Sequence, residues 1–160
     1  MSNPTISIRL VGGLGNQMFQ YAAALSLAER RRARVLLDLS AFTAYATWPY
    51  QLDRLRVPQN IAVDQPLRRP VGQSLPARIV RRLTAGGVKA DGLYVEPHFH
   101  FDEAFFSLPG DDIKLEGYFQ SPLYFSGCED LLRSQFRPVE PFGRAAQEWS
   151  QRIAASACSV

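Results

Sequence analysis

Cysteine is nearly missing from this chain of 160 residues, where only Cys128 and Cys158 occur. Two cysteines cannot supply a disulfide framework and match no zinc spacing, so both read as buried or free thiols in a reducing compartment. Lysine is almost as scarce, because among 18 basic residues only Lys89 and Lys114 are not arginine. Arginine is the better bidentate partner for phosphate or carboxylate, but we attribute the bias to genome composition. No apolar run reaches the roughly 18 residues of a membrane span, and Met1-Ser2-Asn3-Pro4 lacks the pattern of a signal peptide. The net charge of +3 is too small to argue for a nucleic-acid partner. What is present is 46% hydrophobic and 11% aromatic residues. That is enough for a real core, which excludes disorder as a global description and leaves one domain or half of a two-domain protein.

The first forty residues read as strand, glycine turn, helix and strand. Ile6 to Val11 alternates and is β-branched; Gly12-Gly13-Leu14-Gly15 breaks it. Asn16 stands where an N-cap belongs, ahead of a helical run from Gln17 to about Arg32 whose first turns, apolar on several faces, are expected to be deeply buried. Val35 to Leu39 is the second strand, so the unit is βαβ with a parallel pair. Residues 66–92 read as a basic insertion or mobile segment, with a short helix at 77–83 that reads first as a plain solvated helix, though it could touch an anionic membrane surface or a phosphate. Further strands are expected at 94–101 and 113–119, and a helical turn at Ser121-Pro122. Ser126 to Glu129 has capping-box spacing for a helix to Phe136. Phe142, Ala145, Trp149 and Ile153 share one face of a last helix, and Ala157 to Val160 looks like the start of a strand.

Chemistry concentrates at a few places. The turn of Gly12, Gly13 and Gly15 brings backbone N–H groups and a helix N-terminus toward one point, which suits an anion. The dinucleotide fingerprint needs a third glycine where Met18 stands, while Asp38 sits near the expected position of a ribose-binding acid. No P-loop lysine occurs. His98 and His100 would share a face on a strand and could bind a metal, yet spacing identifies no third ligand, so they read as a packed or rim pair. Glu96 and Asp102 are carboxylates that could serve as a general base.

The run Val11 to Ala22, VGGLGNQMFQYA, resembles the opening signature of the bacterial α-1,2-fucosyltransferases of glycosyltransferase family 11. Val35-Leu36-Leu37-Asp38 with Tyr50-Gln51-Leu52, and Leu115 to Phe125, resemble two further segments of that family in order and spacing. The resemblance implies an α/β fold with a Rossmann-like parallel sheet and flanking helices, the first half of a GT-B glycosyltransferase. It implies transfer of L-fucose from GDP-fucose to the 2-hydroxyl of a galactoside with inversion and without a metal cofactor. Gly12, Gly13, Gly15, Asn16, Gln17, Tyr118 and Gln120 then become the candidates for cleft or substrate contacts. The family's donor motif, His-x-Arg-Arg-x-Asp, does not occur. The resemblance therefore implies a chain truncated before its GDP-fucose-binding half, inactive by itself, and a parent enzyme in the cytoplasm at the inner face of the cell membrane.

Two readings from other classes stay open. One is the NAD-binding half of an oxidoreductase, with Asp38 on the ribose. The other is a non-catalytic carbohydrate-binding module using Tyr45, Trp48 and Tyr50, since aromatic rings suit sugar faces.

Overall fold

The structure, a computed structural model, describes residues 3–44, 48–62 and 92–156. Tyr45, Cys158, the strand expected from Ala157, and the basic segment up to residue 91 lie outside the described residues. The elements in chain order are β1 (Thr5–Arg9), α1 (Leu14–Arg31), β2 (Arg34–Asp38), α2 (Ser40–Ala44), β3 (Leu93–Val95), β4 (Asp112–Glu116), α3 (Glu129–Gln135) and α4 (Arg144–Ala154). The strands form one sheet in the order β2-β1-β4-β3, parallel throughout. This is the expected Rossmann-like arrangement, a parallel sheet flanked by helices.

Strand alternation sets which face is dry. Ile6 lies opposite Val35 and Ile113, and Ile8 opposite Leu37 and Leu115. These six side chains are buried together in the core, beside α1, which packs on β1 and β2. Truncating one of them, as in Ile8→Ala, costs about 2–5 kcal/mol. The intervening residues Ser7, Arg9, Lys114 and Glu116 are half-buried on the opposite face.

Helix α1 forms because its middle, Tyr21 to Ala28, is rich in alanine and leucine and completely buried. Its first two turns are buried only in part. Leu14, Met18 and Phe19 are half-buried, so burial is deepest a turn or two later than the sequence suggests. The helix stops at Arg32, which turns left-handed at φ 53°, and the Ala33 amide closes back on the Ala28 carbonyl at 2.9 Å. Arg30 and Arg31, favourable at a helix C-terminus, tie that end to the loops: Arg30 donates to the Ser126 carbonyl, and Arg31 to the carbonyls of Leu108 and Gly110.

Several boundaries differ from expectation. Asn16 is not the N-cap; Gly13 is, in extended conformation and without a side-chain cap. β3 ends at Val95 rather than 101, and β4 at Glu116 rather than 119. The Ser121-Pro122 turn forms as expected, a short 3-10 helix whose Ser121 hydroxyl accepts from the Leu123 amide. At α3 the capping box is displaced: Glu129 takes the amide of Gly127, and Cys128, half-buried and free, stands at the cap. Helix α4 places Trp149 and Ile153 on one side as expected, but no residue of it is buried. Among the described residues no helix is long and apolar enough to cross a membrane.

Candidate functional site

An open sheet of parallel strands binds ligands outside its carboxyl ends, where successive connections leave in opposite directions. Here that point lies between β1 and β4, since β2 flanks β1 on one side and β4 on the other. A cleft of about 1240 Å³ lies at this position. Its lining gathers at the ends of all four strands: Arg9, Val11 and Gly12 at β1, Ala41 and Phe42 after β2, Val95 to His100 at β3, and Glu116 to Tyr118 at β4, with Asn16 and Trp48 completing it.

The glycine turn is held from behind by two glutamines. Gln17 is fully buried, and both ends of its amide are used. Its Nε2 donates to the carbonyls of Gly12 and Pro49 at 2.8 and 3.0 Å, while Oε1 accepts from the Gln51 amide at 2.9 Å. Buried, with both amide hydrogens used, Gln17 anchors the turn and the Tyr50-Gln51 segment. Gln20 is equally buried and clamps the strand ends, accepting from the Val11 amide and donating to the Gly117 carbonyl, each at 3.0 Å.

The remaining candidates divide. Gly12 lines the cleft with φ +78°, a conformation only glycine adopts cheaply, and a Cβ there would meet Asn16 Nδ2 at 2.6 Å. Gly13 lies under the Trp48 indole, which an added Cβ would touch at 3.6 Å. Gly15 faces open space away from the cleft lining, and nothing in the structure explains glycine there. Asn16 lines the cleft, its Oδ1 accepting from Gln120 Nε2 at 2.8 Å. Gln120 itself lies outside the lining and acts on the cleft through that bond.

Tyr118 reaches the cleft because the backbone around it is forced into place. Phe119, with φ 52°, is fully buried against Tyr94, Phe105 and Tyr124, its ring meeting that of Tyr124 edge-on at 5.2 Å. Glu96 fastens the same turn: its carboxylate accepts from the Tyr118 amide at 2.7 Å and the Phe119 amide at 3.1 Å. Committed this way, Glu96 serves the turn that carries Tyr118. Asp102 is committed too, accepting the Tyr94 hydroxyl at 2.6 Å and capping the Ala104 amide at 3.0 Å. Burial pushes the Tyr94 hydroxyl well above its ordinary value, with Asp102 adding to it, so this pair is a neutral donor on an acceptor.

His98 and His100 do not share a strand face. They stand in the loop after β3, with ring centroids 5.6 Å apart. Among the described residues no group of three or more His, Cys, Asp or Glu could hold a metal ion. Asp38 is buried, and its carboxylate takes the Ser40 amide at 2.8 Å, an orientation that serves α2 rather than a ribose. Tyr50 packs on Phe42 and bonds Gln59, so it belongs to the fold. Trp48 remains exposed on the cleft. Sequence reasoning missed Arg9 and Glu116, which pair at 3.8 Å across the cleft ends of β1 and β4; charged residues alternating with buried ones at two strand ends were the available signal.

Comparison with known proteins finds a distant similarity to a sugar transferase. The chain is 26% identical over 132 residues to the α-1,2-colitosyltransferase of Escherichia coli. That relative is a glycosyltransferase. The matched segment covers 82% of this chain but 44% of the relative, so the chain spans less than half of that enzyme's length. No family model matches, and no solved structure does either.

Proposed function

We propose that the chain forms the acceptor-side half of an inverting glycosyltransferase that moves an L-fucose-type sugar from a GDP-sugar to the 2-hydroxyl of a galactoside. The similarity to a sugar transferase, running through 82% of the chain, carries this reading. The arrangement of the cleft supports it. Trp48, Phe99 and Tyr118 offer exposed aromatic surface on which a sugar face can rest. Asn16, its oxygen already bound to Gln120, keeps Nδ2 to donate to a hydroxyl.

In this proposal the whole enzyme has two Rossmann-like halves facing across a cleft in the GT-B manner and works without a metal. It acts at the cytoplasmic face of the membrane on glycan precursors. The cations that neutralise the departing diphosphate would come from the half not represented by these residues. The test is a transfer assay of the gene product carrying these residues, with GDP-fucose and lactose, and the linkage read by NMR. An α-1,2-fucosylated product supports the proposal; absence of both turnover and lactose binding defeats it. An exposed Trp48 would also suit a plain carbohydrate-binding module, which lactose binding without any response to GDP-fucose would indicate.

A further inference from the structure

We infer that His98 is the general base that deprotonates the acceptor hydroxyl, its ring oriented by the His100 carbonyl, which Tyr124 anchors in turn. The inference rests on the transfer reading above. A base in this cleft needs a lone pair that no protein donor already uses. Among the described residues lining it, the Glu96 carboxylate is turned onto two backbone amides and that of Glu116 toward the Arg9 guanidinium, which aims both at the protein. The other lining groups able to take a proton are the imidazoles of His98 and His100.

His98 differs from His100 in one decisive respect. Its Nδ1 lies 3.0 Å from the carbonyl oxygen of His100. A carbonyl oxygen can only accept, so Nδ1 carries the hydrogen, and in the neutral ring the lone pair sits on Nε2. The carbonyl is itself fixed. The fully buried Tyr124 donates its hydroxyl to it at 3.2 Å and accepts from the Asp102 amide at 3.1 Å. Burial raises the Tyr124 hydroxyl above its ordinary range, which keeps it protonated and donating. The result is a chain from a buried core residue, through a backbone carbonyl, to a ring in the cleft wall whose tautomer is already that of a base. Among the described residues the His100 ring has no such hydrogen-bond partner.

In the step, the acceptor oxygen attacks the anomeric carbon of the nucleotide sugar. The bond from that carbon to the diphosphate oxygen breaks, its electron pair leaving with the diphosphate. The hydroxyl proton passes to His98 Nε2. The flanking Phe99, whose ring lies 6.4 Å from that of Tyr118, gives the acceptor sugar a surface beside the base.

The test uses His98→Asn in the gene product, because the asparagine amide keeps a donor near the Nδ1 position and deletes Nε2. With GDP-fucose and lactose, kcat should fall about 10²- to 10⁴-fold, as for loss of a general base, while KM for lactose changes less than about threefold. Equal kcat in wild type and variant would overturn the inference and leave the transfer reading standing. A second measurement needs no turnover: imidazole nitrogen NMR during lactose titration. The Nε2 resonance of His98 should move while Nδ1 stays protonated; lactose binding, reported by Trp48 and Tyr118 ring signals, without any change at Nε2 would overturn it. Neither turnover nor binding by the wild type removes the transfer reading itself, and the base with it.

Discussion

Asn16 and Gln120, 104 positions apart, meet side chain to side chain at 2.8 Å at the mouth of the cleft. The bond joins the first turn of α1 to the turn after β4. Both segments border the cleft: Asn16 lines it, and Gln120 follows the lining residue Tyr118 by two positions. Because Gln120 is exposed and Asn16 half-exposed, water competes for the same bonds, and little folding energy depends on them. What the bond does fix is the direction of the Asn16 amide at the cleft.

Asn16→Ala and Gln120→Ala are therefore expected to leave stability within about 1 kcal/mol of wild type. Transfer should respond differently: loss of one substrate hydrogen bond lowers kcat/KM about tenfold for Asn16→Ala. Gln120→Ala should have the smaller effect. Thermal unfolding and initial rates on the same preparations check both. Equal rates in all three proteins would remove Asn16 from the site.

Gln17 should behave in the opposite way. Gln17→Ala strips partners from two carbonyls and one amide at a buried position. Each unsatisfied buried group costs about 1–3 kcal/mol, so a total loss near 3 kcal/mol or more is expected in chemical denaturation, water entering the gap limiting it. Gln17→Glu should not rescue it, since a carboxylate can accept from the Gln51 amide but cannot donate to the two carbonyls.

The contrast between Asn16 and Gln17 shows what was legible and what was not. Alternation in Ile6 to Val11, the alanine-rich run of α1 and Ile113 to Glu116 betray their elements because each pattern is local. The Ser121-Pro122 turn was legible for the same reason. A glutamine buried by contacts with Gly12, Pro49 and Gln51 looks the same in sequence as one facing solvent. The end of β3 was hidden for a related reason: Glu96 leaves the strand to bind amides 22 and 23 positions away. A strand pattern continued across His98 and His100 could not register that pull. Asn16 and Tyr118, which line the cleft, were named as candidates because they lie in the segments that carry the family resemblance, not through any periodicity.

Gly117 and Gly15 make a paired test of glycine in these segments. An added Cβ at Gly117 would collide with the Glu96 side chain, meeting Oε2 at 2.8 Å. Gly117→Ala must push Glu96 off the Tyr118 and Phe119 amides, at a cost of about 1–3 kcal/mol, and should reduce transfer by displacing Tyr118. Gly15→Ala meets nothing within 4 Å and gains helix propensity, so it should be neutral or stabilising by up to about 1 kcal/mol. A comparable loss from both would mean that Gly15 is needed by a ligand or by contacts beyond the described residues.

Alkaline pH should unfold the domain through its tyrosines. Burial, then the nearby Asp53, pushes the Tyr50 hydroxyl from 10.0 up to about 12, against a smaller opposing effect of the Gln59 bond. Burial raises Tyr21 and Tyr94 in the same direction. A tyrosine whose folded pKa is raised is held neutral by the fold. Below pH 10 both states are protonated, and its contribution to stability is complete. Above that, the unfolded chain ionises first and binds fewer protons than the native one, so stability falls as pH rises. For Tyr50 the loss begins near pH 10 and stops growing once the native group ionises at about 12. Denaturation followed by circular dichroism alongside tyrosinate absorbance checks this. Tyr50→Phe, which keeps the ring against Phe42, should be less stable at neutral pH by no more than the lost Gln59 bond and should lose less of its stability on going alkaline. If ionisation of all tyrosines were instead complete before any unfolding, the hydroxyls would be solvated in the native protein and the buried aromatic packing around Tyr21 and Tyr94 would be wrong.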